Sequence, residues 1–150
     1  MSKDNPDDEI LEFAIAREIE AYHFYMGLAK RVVNPEIQKV FLDLAQEELE
    51  HKATLELEVM KTGKVLPEIE VPVPDFENII SSDGSQLLMD YKEILLLGIE
   101  KEDAAFRTYI NFLTQVDDEE SREVLLSLAQ EEVKHKLRFQ TEYDLLLKDN

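Results

Sequence analysis

Residues 45–52 read Ala-Gln-Glu-Glu-Leu-Glu-His-Lys, and residues 129–136 read Ala-Gln-Glu-Glu-Val-Lys-His-Lys. The two stretches lie 84 residues apart. Upstream of each, the same offset matches Glu18, Ala21 and Tyr25 to Glu102, Ala105 and Tyr109 without a gap. Each half therefore carries a Glu, a Tyr seven residues on, and then a Glu-x-x-His. Repetition of this kind marks one structural unit used twice.

The repeated residues fall on helices. Phe41, Leu44, Glu48, His51 and Leu55 follow one another at steps of three and four, as do Leu125, Leu128, Glu132, His135 and Phe139. Leu11, Ala14, Glu18, Ala21, Tyr25 and Leu28 form a third stripe, and Leu95, Gly98, Glu102, Ala105, Tyr109 and Phe112 a fourth. Such stripes are the core faces of bundled helices. Glycine and proline punctuate them. Asn5-Pro6 and Asn34-Pro35 suit an N-cap followed by proline at the first helical position, and Gly63 suits a C-terminal stop. Asp117 with Glu120 reads as a capping box. The expected helices run over 6–33, 35–62, 85–116 and 118–147.

The first and second helices have a short connection, as do the third and fourth, so each pair should be an antiparallel hairpin. A longer stretch with Pro67, Pro72 and Pro74 joins the hairpins, and Val71-Pro72-Val73-Pro74 should be extended. One hairpin cannot bury its own apolar face. The sequence thus predicts a single all-α domain over 1–150, an antiparallel four-helix bundle with a long crossover between helices 2 and 3.

Each core stripe is interrupted by a Glu, and two also by a His. A charged carboxylate in an apolar seam costs several kcal/mol unless it is compensated, roughly the penalty for any buried ion. Four at one level would repel. Two multivalent cations relieve both problems. Glu at i and His at i+3 lie within about 60° on a helix surface, so both reach one cluster. The candidate ligands are Glu18, Glu48, His51, Glu102, Glu132 and His135. The offset suggests approximate two-fold symmetry, with Glu48 and Glu132 bridging, Glu18 and His51 serving one ion, and Glu102 and His135 the other. Carboxylates and imidazoles suit iron or manganese, and the absence of thiolates disfavours structural zinc. Tyr25 and Tyr109, two turns along from Glu18 and Glu102, are candidates to hydrogen-bond ligand carboxylates.

Neighbouring residues serve as controls. Glu47, Glu131, Glu100 and His23 lie on polar stripes and should be surface residues. His23 follows Glu20 at Glu-x-x-His spacing, but its counterpart in the other half is Arg107. A lone Glu-x-x-His on a helix is common and carries little weight. The weight here comes from two copies on core stripes, each with a matched Glu on the preceding helix.

Composition limits the partners. Against 16 Lys and Arg stand 34 Asp and Glu, a net charge of −18. Nucleic acid and anionic membranes are poor partners for such a surface. There are no cysteines, which excludes disulfides, iron–sulfur clusters and thiol catalysis within these residues. The polar, acidic start is unlike a signal peptide, and no apolar run is long enough to span a bilayer. The expectation is a soluble, cytoplasmic protein.

With these motifs in place, the chain resembles the ferritin-like diiron-carboxylate superfamily, and most closely its rubrerythrin-like branch. The resemblance rests on Glu18-x-x-Ala21-x-x-x-Tyr25, Glu48-x-x-His51, Glu102-x-x-Ala105-x-x-x-Tyr109 and Glu132-x-x-His135. It implies two iron ions, or alternatively two manganese ions, held by the six Glu and His residues and reacting with peroxide or dioxygen. Full rubrerythrins also carry a cysteine-ligated rubredoxin domain, so the resemblance implies an external electron donor here. They carry a further Glu on the third helix as well. Positions 99 and 105 here are Ile and Ala, and the ligand set looks more like the symmetric bacterioferritin type. A redox enzyme is the leading expectation, in which a homodimer is possible. Iron handling by ferroxidation is an alternative, as is a bundle with structural metals whose acidic faces bind a protein partner.

Overall fold

The computed structural model describes residues 6–71 and 73–148. Its four helices make an all-α four-helix bundle: α1 (Pro6–Ala29), α2 (Pro35–Met60), α3 (Tyr91–Leu113) and α4 (Glu119–Lys148). The chain gathers into two compact units. One combines the residues up to Asp75 with Gln115–Val124, and the other combines Phe76–Thr114 with the residues from Leu125.

In the first unit α1 and α2 form an antiparallel hairpin. Tyr25 near the end of α1 stacks on Phe41 near the start of α2, with ring centroids 6.3 Å apart and planes 13° apart. Further along, Glu18 meets His51. Helix α1 ends four residues before the expected 33. Pro35 disfavours helical backbone at the residue before it, and Asn34 must be extended (φ −70°, ψ 120°) to cap α2. Its side chain accepts from the N–H of Glu36 at 2.8 Å and of Ile37 at 3.4 Å. Side chains cover the exposed end of α1: Gln38 donates to the Ala29 carbonyl and Arg31 to that of Gly27. Asn5 lies outside the described residues, and Pro6 opens α1. Gly63 stops α2 as expected, with φ +85° and its N–H on the Met60 carbonyl.

Helix α3 starts at Tyr91, six residues after the expected 85. Asp90 and Glu93 form a reciprocal capping box, whereas Leu87 pairs with Ile80 in an isolated antiparallel bridge. The intervening Leu87-Leu88-Met89 continues the apolar run, so periodicity alone places the start too early. Residues 61–90 therefore form a longer crossover than the sequence suggested. Val71, Val73 and Pro74 are outside any helix, and Pro72 is not among the described residues.

The cap of α4 is Asp118, one residue after the expected Asp117. Its carboxylate accepts from the Ser121 N–H at 2.9 Å. Asp7, buried in the first turn of α1, holds the same turn by accepting from the N–H groups of Asp117 and Asp118. In the second unit α3 and α4 are antiparallel: Gly98 faces Phe139, and Glu102 faces His135. A Cβ built on Gly98 would come within 2.9 Å of the Phe139 ring, so this close crossing favours glycine.

Candidate metal centre

Each of the four stripes faces inward. Phe41, Leu44, Leu55, Leu95, Leu125 and Phe139 are buried, and so are the Glu and His residues that interrupt them. Glu18, Glu48 and Glu132 are each 2 % exposed, Glu102 and His135 3 %, and His51 7 %. Helical periodicity accounts for this, since a residue three or four steps from a core leucine points into the core with it.

In the first unit Glu18, Glu48 and His51 each offer a ligand atom, and these atoms lie within 4.8 Å of one another. His51 Nδ1 is 3.4 Å from Glu18 Oε2. In the second unit Glu102, Glu132 and His135 converge within the same limit. His135 Nδ1 is 3.6 Å from Glu102 Oε1 and 3.9 Å from Glu132 Oε2. The residues matched by the offset of 84 thus make the same contact at nearly the same distance. Two buried Glu/Glu/His clusters result, each a donor set for a metal ion.

The donors fit iron or manganese. Each cluster brings two carboxylates and one imidazole out of water, and no thiolate. Carboxylates this close and this buried repel unless a cation or protons lie among them. Hard oxygen donors with one nitrogen suit iron and manganese alike.

The neighbours divide as their stripes suggest. His23 and Glu100 are exposed, and His23 meets the edge of the Tyr22 ring. Glu47 and Glu131 are half-buried rather than fully exposed, and Glu131 pairs with Lys134 at the rim. Tyr25 and Tyr109 are buried; Tyr109 also packs edge-on against Phe112. Ala21 and Ala105 depart from expectation. Both are half-buried, so each stripe opens partway at the same repeat position. Ile99 is also half-buried, and neither position 99 nor 105 supplies a further carboxylate.

Sequence reasoning passed over two features beside the second cluster. Gly98 and Phe139 make their close crossing one turn from Glu102 and His135. Lys136 reaches Asp103 across α3 and α4 at 3.0 Å. The departures at 98 and 103 from the residues 84 places earlier, Ala14 and Ile19, were the available signal.

Comparison with known proteins agrees with this geometry. A family model described as rubrerythrin matches residues 9–143. A hypothetical protein from Pyrococcus furiosus has a similar structure, with a TM-score of 0.72 and 25 % identity over 95 % of this chain and 90 % of that one. A Thermotoga maritima protein, provisionally described as a ferritin-like diiron-carboxylate protein, shares the fold. It gives a TM-score of 0.68 and 20 % identity over 96 % of this chain and 98 % of that one. No curated protein matches.

Proposed function

We propose a redox function from one premise: the chain belongs to the rubrerythrin family. In this reading Glu18, Glu48 and His51 would hold one ion, and Glu102, Glu132 and His135 a second. The ions are iron, with manganese as the alternative. The observation that carries the reading is the doubling of one buried Glu/Glu/His cluster.

The chain's own residues have definite tasks. The carboxylates would neutralise the cations, while the surrounding leucines and phenylalanines exclude bulk water. The Tyr25 and Tyr109 hydroxyls hold ligand carboxylates in orientation. When bound, ferrous iron would supply electrons for the reduction of peroxide or dioxygen. With no cysteine in the sequence, those electrons return from an external donor.

The remaining features of the proposal are a single working domain and a cytoplasmic location. Nucleic acid and membranes are left out as partners on the net charge of −18; among the described residues no helix is long and apolar enough to cross a membrane. That charge also favours a second reading, in which ferrous iron is cargo to be oxidised.

Anaerobic loading with ferrous iron, followed by separate rapid mixing with peroxide and with dioxygen, tests both. Two ferrous ions bound per chain and repeated oxidation when a reductant is supplied support the enzyme. Ferric iron accumulating beyond two ions per chain favours iron handling. Failure to bind either iron or manganese refutes the metal site.

A further inference from the structure

The two clusters have the same donors but different surroundings. In the second unit Lys136 follows His135 directly, and Asp103 follows Glu102 directly. Lys136 Nζ donates to Asp103 Oδ1 at 3.0 Å. The ion pair therefore joins α3 to α4 at the level where Glu102 meets His135. Arg107, one turn along α3, lies 2.9 Å from the other oxygen of Asp103 and fixes that carboxylate.

The offset of 84 carries Asp103 onto Ile19 and Lys136 onto Lys52. Isoleucine accepts no hydrogen bond. Lys52 instead pairs with Glu56 on its own helix at 3.0 Å, where the second unit has Gln140. The lysine after the histidine is common to both halves, but only the second half uses it to join two helices.

We infer that Asp103 and Lys136 are positioning residues that make the two metal positions unequal, the Glu102/Glu132/His135 position being tighter and filling first. The inference rests on the dinuclear reading above. Donors already held in place lose less freedom when an ion binds, so more of the coordination energy appears as affinity. A half-exposed ion pair of this type accounts for up to about fivefold in affinity.

Cobalt(II) titration of the full chain, followed by visible absorption, tests this without reference to turnover. His51→Ala leaves the second position intact and His135→Ala the first. The second should bind cobalt about fivefold more tightly than the first. Adding Asp103→Ala to the His51→Ala chain should remove that advantage, although alanine is the better helix former. Lys136→Met should do the same from the other partner. Ile19→Asp in the His135→Ala chain should tighten the first position, and decides the matter if the Asp103 variant does not fold. Equal affinities in the two single-position chains, or no change on Asp103→Ala, would overturn the inference. If the unaltered chain binds no cobalt, the dinuclear reading falls and takes the inference with it.

Discussion

Replacing Gly98 with alanine tests how the second cluster is spaced. The added Cβ would lie 2.9 Å from Cε2 and Cζ of Phe139 and 3.0 Å from Cδ2. Carbon atoms rest comfortably at about 3.5–4.0 Å, so the ring or the helix must move by about 0.5–1 Å. Phe139 is fully buried and has little room to retreat. Overpacking of this kind costs about 1–3 kcal/mol, while alanine regains about 1 kcal/mol of helix propensity over glycine. The net is a loss of about 1 kcal/mol, or a fall in Tm of about 3 °C for a chain of this length. The offset of 84 supplies the compensating change. The first half has Ala14 and Leu55 where the second has Gly98 and Phe139. Gly98→Ala with Phe139→Leu should therefore lose less than the sum of the single variants, with a coupling of about 1 kcal/mol. Thermal unfolding of the metal-free chain followed by circular dichroism measures all three. A rise in Tm for Gly98→Ala, or strict additivity in the pair, would refute the close-packing argument.

Metal content separates ligands from their neighbours: His51→Ala, His135→Ala and Glu48→Ala should each lose bound metal, whereas His23→Ala and Glu47→Ala should keep it. Equal depletion by His23→Ala would show that the ligand assignment is wrong. Asp7→Ala should destabilise the fold by about 1–3 kcal/mol in urea unfolding, because two backbone N–H groups at the start of α4 lose their acceptor. Lys61, together with the Ser121 N–H, holds the Asp118 carboxyl down at about 2. A depressed folded-state value stabilises the fold above the ordinary carboxylate range, and the contribution fades as pH falls from about 4 towards 2. Asp118→Asn should therefore be less stable than the unaltered chain at neutral pH, and the gap should close in acid. A gap that persists below pH 2 would point to hydrogen bonding rather than charge.

The stripes were legible because burial repeats with the helix. Steps of three and four carry Glu48 and His51 into the core with Leu44 and Leu55, and the 84-residue offset repeats the arrangement in α4. Asn34 and Gly63 announced their turns through local chemistry that involves only adjacent residues. The start of α3 was less clear. Its capping residues, Asp90 and Glu93, are plain in the sequence, but an apolar run precedes them and Leu87 has a partner in Ile80 that helical spacing does not reveal.

By itself the sequence determined the all-α class, the two hairpins, the inward stripes and the residue types of both clusters. These follow from intervals along one helix or from residues a few positions apart. Tertiary structure decided what meets across helices: Phe139 against Gly98, Lys136 on Asp103 rather than along its own helix as Lys52 is, and Asp7 at the start of α4. Such contacts depend on the crossing of separate elements and on which side chain reaches furthest, and spacing along the chain does not encode either.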